Sequence, residues 1–482
     1  MAINGTAYSI DGRHFRFDAP IGDAPMTGGY VRIDTGEGNS YIGQIVDAAP
    51  GDDGPTVTTV TGTGAIRAVI EDATVTGSVA TAFGSASISP MEASIVGSHF
   101  ERSLGASAGL DIGTLRRVDG DLPATLKAEG FGRHTFVCGQ SGSGKTYTLG
   151  VILERLLLET GLRIAVLDPN SDYIRLSEVR GADAMGLSED DHADLSERYL
   201  AAASGVSVHG TRPDQQALQT KFGRLSLRQQ ALALDIDPIR DAEEYNAFRR
   251  IVERMETTDY TLGEVRRRAT ENFEHGSRNL ALRIDNLGVE DLGIWAGEGE
   301  PGIIETLPED WRGVILDLGS LPSAEERSMM AASAVAYFWD KRHERIPTLL
   351  VIDEAHNVCP QEPADRFQAM ASDHLAAIAG EGRKFGLYLL LVTQRPGKVH
   401  VNVLSQCENL VLMRMNSTTD IEHLAATFSH VPAPLIRQAS TFGLGEGLAA
   451  GRITTDPMLF RTGSRLSVEG GSDIPSDWAR AR

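Results

Sequence analysis

The 482-residue chain is 41% hydrophobic and 23% charged, an ordinary globular balance, and its length suggests about three domains of ~150 residues. No apolar run approaches the roughly 20 residues of a membrane span, and residues 1–17 lack the basic start and apolar core of a secretory signal, so a cytoplasmic chain without membrane contact is expected. The net charge of −21 excludes a protein that coats nucleic acid with its whole surface, and Cys138, Cys359 and Cys407 have neither metal-ligand spacing nor a paired framework, as for reduced thiols.

Residues 1–110 are rich in Gly, Thr, Val, Ala and Asp. Short alternating runs at 30–34, 41–46 and 56–60 are separated by the turn clusters GEGNS and APGDDGP, which predicts a small β-barrel. No catalytic constellation falls there, and an assembly or partner-docking role is expected. From about residue 115, strand-like runs at 135–138, 163–167, 313–318, 348–352, 387–393 and 410–415 alternate with helical periodicity, the pattern of a parallel sheet with crossover helices. This α/β core is expected over 111–173 and 313–462. The charged segment 174–312 has helical patterns at 190–203, 242–256, 261–273 and 278–286 and reads as an inserted helical subdomain. The Gly/Ser/Asp/Arg-rich tail, 463–482, is expected to be poorly ordered.

Gly139-Gln140-Ser141-Gly142-Ser143-Gly144-Lys145-Thr146 is a complete G-x-x-x-x-G-K-[ST] phosphate loop, set between an apolar strand and a helical pattern that begins at Tyr147. Glycines let backbone N–H groups curl around a β-phosphate, and the helix presents its positive end to the same charge. These residues, with Tyr147, are the expected ATP-binding set: Lys145 bridges the β- and γ-phosphates and the Thr146 hydroxyl holds Mg²⁺. Farther along, the run 349–352 ends in Asp353-Glu354. A buried strand ending in two carboxylates supplies one, Asp353, to hold Mg²⁺, and another, Glu354, to act as general base on the attacking water. Ala355-His356 completes DEAH and invites a superfamily-2 helicase reading, but no SAT-type motif or second RecA-like unit follows; His356 is expected near the nucleotide at a helix start.

The stretches RHTFVCGQSGSGKT, AVLDPNSDY, GVILDLGSLP, LLVIDEAHNVCP, EGRKFGLYLLLVTQRPGKV, VLSQCENLVLMRM and GEGLAAGR resemble the HerA/FtsK superfamily, and within it the HerA-like DNA-translocating ATPases. The resemblance implies a RecA-like P-loop ATPase core, with an N-terminal small β-barrel and an inserted helical subdomain, working as a six-membered ring on double-stranded DNA without sequence preference. It places Gln394 against the γ-phosphate or attacking water, and Arg383 on the subunit surface, reaching the neighbour's ATP in trans. Lys384 and Arg395 are lesser candidates for that role, and His134 matches an Arg-His pair before the loop. Arg414 interrupts an otherwise buried strand and needs a partner or an opening to the site. Arg266, Arg267, Arg268, Arg278, Arg283 and Lys398 could supply phosphate contacts, unless ion pairing with Glu264, Glu271 and Glu274 makes them a solvated face. The resemblance further implies a separate nuclease or other effector partner, in DNA end processing or phage defence; the alternative is a nucleotide-switched scaffold that activates a sirtuin-like or nuclease effector with little translocation.

Overall fold

The computed structural model describes residues 5–21, 26–36, 40–51, 58–71, 74–76, 80–185 and 188–471. The first seven strands are β1 (Gly5–Ser9), β2 (His14–Pro20), β3 (Tyr30–Asp34), β4 (Ser40–Pro50), β5 (Thr59–Glu71), β6 (Thr74–Thr76) and β7 (Phe83–Pro90). They run in the order β2-β1-β7-β3-β4-β5, and a β2–β5 pairing closes the ring into the expected barrel, with β6 hanging on β5. Closure removes the exposed edges an open sheet would leave. Strict alternation along β2 sends Phe15 and Phe17 inward beside Ile33 and Ile45. The rings fit because Gly64 faces Phe15: a Cβ there would lie 2.2 Å from the ring.

The barrel is seated on the core rather than tethered to it. Helix α1 (Ala93–Leu104) buries His99 against Asp456, Nε2 to Oδ2 at 2.9 Å, and Arg67 of β5 reaches the same carboxylate at 3.4 Å. Gln44 Nε2 donates to Pro457 O at 2.7 Å.

The core is one twelve-stranded sheet. Its strands are β8 (Gly109–Leu115), β9 (Pro123–Lys127), β10 (Thr135–Cys138), β11 (Arg163–Asp168), β12 (Val206–Gly210), β13 (Gln216–Ala217), β14 (Gly313–Asp317), β15 (Thr348–Ile352), β16 (Leu387–Thr393), β17 (Asn409–Met413), β18 (Glu446–Ala450) and β19 (Met458–Thr462). The order is β13-β12-β14-β11-β15-β16-β10-β17-β18-β19-β8-β9, parallel as far as β17 and antiparallel beyond it. Successive side chains of the central strands enter opposite cores. Leu350, Ile352, Leu389 and Leu391 pack on the side of helices Ala324–Asp340 and Arg366–Glu381, while Leu349, Val351, Leu390 and Val392 pack on the side of α2 (Lys145–Glu159). Burial on both faces is why these strands read as unbroken apolar runs.

Two expectations need correction. The segment 174–312 does contain helices, among them Glu189–Ala203, Ala242–Glu253, Leu262–Glu271 and His275–Leu287, but it is not only helical. It also contributes β12 and β13, which extend the main sheet parallel to β14. A strand as short and polar as Val-Ser-Val-His-Gly carries too little apolar signal to register in the sequence. The tail is also not uniformly loose: residues 463–471 pack on α2, with Arg465, Leu466 and Ser467 buried, while residues 472–482 lie outside the described residues. Among the described residues no helix is long and apolar enough to cross a membrane.

Candidate active site

The phosphate loop joins β10 to α2 at the carboxyl end of the parallel strands. Gly142 and Gly144 hold φ of +69° and +89°, which glycine adopts without a Cβ penalty. Gly144 is the N-cap of α2, and no side chain caps that end. Its first-turn N–H groups are therefore available to an anion, with the helix dipole aligned toward it. Strand β17 braces the loop. Gln140 N donates to Arg414 O at 3.0 Å, and Arg414 Nη2 donates to Gly142 O at 2.9 Å. That is the partner the charge of Arg414 required: it holds the loop's backbone from outside.

Sheet order brings the acidic strand to this loop. Strand β16 lies between β10 and β15, so Gln394, just past its end, stands between the loop and Asp353-Glu354. Lys145 is buried, its Nζ 3.6 Å from both Asp353 Oδ1 and Glu354 Oε1. Gln394 Nε2 donates to Glu354 Oε1 at 2.6 Å. His356 Nδ1 is 3.0 Å from Thr393 Oγ1 and 3.3 Å from Glu354 Oε2. Glu354 itself sits at φ +43°, a left-handed conformation that costs about 1–3 kcal/mol for a residue with a side chain. Burial pushes its carboxyl up, but His356, Lys145 and Gln394 outweigh burial and hold it at about 2, so it is ionised at neutral pH.

The cleft in front of these groups has a volume of about 750 Å³ and is lined by Gln140, Ser141, Gly142, Gly144, Lys145, Thr146 and Tyr147, together with Glu354 and Gln394. Gly139 and Ser143 stand behind the lining: a Cβ on Gly139 would meet Met413 at 2.7 Å, and Ser143 is fully buried.

Asp168, Asp172 and Asp353 can bring one carboxylate oxygen each to within 4.8 Å of one another. Burial raises Asp353, raises Asp168 to about 7 and raises Asp172 to about 6, the strain expected of carboxylates gathered out of water. Asp353 Oδ2 is buried and accepts no hydrogen bond. A buried, unsatisfied carboxylate oxygen beside two further carboxylates suits a hard divalent cation, and Thr146 lines the adjoining cleft. Asp168 is already committed: it accepts from the backbone N–H groups of Asn170, Asp172 and Tyr173 and so shapes the loop after β11. Sequence reasoning misses Asp168, Asn170 and Asp172, although AVLDPNSDY holds the signal: an acidic residue at the carboxyl end of a strand adjacent to the acidic one.

Arg383 is not part of this cluster. It lies in the turn Gly382–Phe385 before β16, and seven strand residues, about 23 Å at 3.3 Å per residue, separate it from the Gln394 end. Its Nη1 meets Glu408 Oε1 at 2.6 Å, a carboxylate also approached by Arg133 at 3.4 Å and Arg452 at 3.8 Å. Within one chain it cannot reach the phosphate loop. His134 is a packing residue: buried, its Nδ1 accepts from Leu389 N at 3.0 Å and its Nε2 donates to Ala379 O at 3.0 Å. The arginines of the 174–312 segment are largely paired. Arg266 meets Glu290 at 2.5 Å, Arg267 meets Glu264 and Glu271 at 2.8 and 2.6 Å, Arg268 meets Glu264 at 2.7 Å, and Arg283 meets Glu244 at 2.5 Å.

A phosphate loop, a lysine bridging two carboxylates and a glutamine on the second of them, all at one end of a parallel sheet, define a P-loop ATPase. Comparison with known proteins narrows the class. Residues 110–293 match the family model described as the central domain of helicase HerA. A probable DNA double-strand break repair helicase HerA of Methanocaldococcus jannaschii is 23% identical over 410 residues, covering 76% of this chain and 78% of that protein. A probable helicase of the same organism is 32% identical over 128 residues, 27% of this chain and 24% of that protein. Among solved structures, VirB4 of Thermoanaerobacter pseudethanolicus is 17% identical, with a TM-score of 0.49 over 74% of this chain and 97% of that one. Along about three quarters of its length the chain is thus similar to the HerA helicases.

Proposed function

We propose that this chain hydrolyses ATP to move along double-stranded DNA without regard to sequence, as a homo-oligomeric, six-membered ring in the cytoplasm. Its HerA relatives bear the name of DNA double-strand break repair helicases, which supports DNA as the substrate. In the proposed reaction the loop from Gly139 to Thr146, with Tyr147, takes the phosphates. Lys145 leaves its two carboxylates for the β- and γ-phosphates, and Glu354, freed of that positive neighbour, becomes basic enough to take a proton from water. Gln394 keeps the Glu354 carboxylate aimed while it does so. Mg²⁺, held by Thr146 and Asp353, would neutralise phosphate charge. Arg383 faces away from its own chain's site and is assigned to the neighbour's ATP, where its guanidinium would replace the bond to Glu408 by one to the transferring phosphoryl group. A separate nuclease or other effector, docked on the barrel, would use the movement in DNA end processing or phage defence.

What carries this proposal is the 2.6 Å bond from Gln394 to Glu354 beside Lys145, because it joins the loop, the acidic strand and the strand between them into one site. Steady-state ATPase with and without linear double-stranded DNA, at two salt concentrations, tests it. Strong, salt-sensitive stimulation is expected, and turnover indifferent to DNA would remove the translocase. A second reading has its own observation in its favour: the net charge of −21 and the paired arginines at 266–268 and 283 leave that face without a free basic stripe. In it, the ring is a nucleotide-switched scaffold that activates its effector with little translocation, and ATPase would then respond to the effector instead of DNA.

A further inference from the structure

The loop after β11 is fastened on the side away from the cleft. Residues 168–173 wrap around the Asp168 carboxylate, and at their tip Ser171 holds φ at +62°, a left-handed conformation that a residue with a Cβ seldom adopts. Its hydroxyl explains the turn. Ser171 Oγ donates at 2.6 Å to Oδ1 of Asp317, the last residue of β14, and accepts from Arg212 Nη2 at 2.8 Å. Ser171 is 6% exposed and Asp317 is fully buried. With Ser171 turned that way, its neighbours Asn170 and Asp172 line the cleft. The Asp172 carboxylate has no hydrogen-bond donor among the described residues, so the backbone alone sets its aim.

That backbone is gripped from two directions. After β19 the chain crosses α2 as a strap in which Arg465, fully buried, lies 3.5 Å from the equally buried Glu154. Gly150 makes the crossing possible, since a Cβ there would lie 2.5 Å from the guanidinium. Beyond the crossing, Gly470 N donates to Asp172 O at 3.0 Å. The other grip comes from the 174–312 segment. Strand β12 lies across β14 from β11 and parallel to both, so the loop that follows it, 211–215, reaches the same end of the sheet. Thr211 N donates to Ser320 Oγ at 3.0 Å and Thr211 Oγ1 to Ser320 O at 2.8 Å, while Gln215 Nε2 donates to Asp317 Oδ2 at 2.8 Å. Each oxygen of Asp317 thus has a donor in Ser171 or Gln215, and Arg212 Nε stands farther off at 3.5 Å. What Arg212 adds is the second bond on the Ser171 hydroxyl, made by a side chain that is 43% exposed.

We propose that Arg212 is a positioning residue for the ATPase reaction: through Ser171 it keeps Asp172 turned to the metal side of the cleft, so that the inserted segment takes part in the chemistry without touching the nucleotide. This assignment rests on the phosphate-loop and divalent-cation reading given above, and the test separates the two. Mn²⁺, a paramagnetic stand-in for Mg²⁺, is titrated by electron paramagnetic resonance onto the full chain with the non-hydrolysable analogue AMPPNP. Binding of AMPPNP in EDTA is measured by calorimetry on the same variants. Arg212→Ala alters a half-exposed side chain. Ser171→Gly breaks the same bond from its other end, with a residue at ease in the left-handed conformation. Both should weaken Mn²⁺ about 10–100-fold, the scale for a residue that orients a metal ligand, and leave AMPPNP in EDTA bound as in the wild type. ATP turnover of Arg212→Ala should recover as Mg²⁺ is raised, which a loss of stability would not produce. Unchanged Mn²⁺ affinity in either variant, or an equal loss of Mn²⁺ and of metal-free AMPPNP, overturns the positioning role and leaves the phosphate site standing. Lys145→Ala should weaken AMPPNP in EDTA; if it binds as the wild type does, the phosphate-loop reading itself fails.

Discussion

Helix α2 touches two buried charge clusters, and they are built in opposite ways. At its first residue, Lys145 stands 3.6 Å from Asp353 and Glu354, yet Asp353 Oδ2 accepts no hydrogen bond and Glu354 Oε2 has only the His356 ring, 3.3 Å away. Farther along the same helix, Glu154 is saturated: Leu466 N and Ser467 N donate to it at 2.8 and 2.7 Å, Ser467 Oγ at 2.7 Å, and Arg465 pairs with it at 3.5 Å. Burying an unsatisfied carboxylate oxygen costs about 1–3 kcal/mol or more, so a fold that leaves such oxygens beside an anion cradle is holding room for a ligand. Glu154, whose carboxylate already accepts three hydrogen bonds beside Arg465, has no room for a ligand and serves the structure.

That contrast can be broken or sharpened by experiment. The largest effect is expected from Glu354→Gln, which keeps size and the neighbourhood of Gln394 but removes the base. Single-turnover hydrolysis should fall about 10²–10⁴-fold with ATP still bound, and hydrolysis at the wild-type rate would take Glu354 out of the chemistry. Next comes Arg465→Ala. Stripping the partner from buried Glu154 should lower stability by about 3–5 kcal/mol in a denaturant titration, and an unchanged midpoint would mean that the strap does not depend on the pair. The smallest effect is a slope. Burial holds the His134 imidazole at about 4, below its ordinary 6.5. As pH falls from 6.5 toward 4 the unfolded chain takes up a proton that the folded chain refuses, so folded stability drops by about 1.4 kcal/mol per pH unit across that window and is unaffected above it. His134→Asn should flatten the acid limb by one proton while leaving ATP affinity at neutral pH unchanged. A loss of nucleotide binding instead would show that His134 is more than packing.

Much of the fold was legible because its signals are local. The barrel announced itself by alternation and turn clusters, and the central strands by apolar runs that only burial on both faces produces. The phosphate loop and the acidic strand were legible for the same reason: each is a contiguous stretch whose chemistry is set by neighbouring residues. Strand β12 escaped because its alternation, Val-Ser-Val-His, has only two apolar residues and is too short to stand out. The strap escaped for a different reason. A Gly/Ser/Arg-rich composition describes a segment with little apolar surface of its own, and its order comes from the carboxylate of Glu154, more than 300 residues earlier in the chain.

Local sequence carries the central strands and the reagents: where a phosphate can be cradled, and which acids end a buried strand. Only the tertiary structure decided their company. It set β16 between the loop and the acids so that Gln394 falls on Glu354, sent Arg383 to the far end of that strand, and laid the strap across Gly150. The physical reason is range. Propensity, periodicity and loop conformation are properties of a few adjacent residues, whereas hydrogen bonds between distant segments and the burial of charge depend on sheet order, which no local stretch encodes.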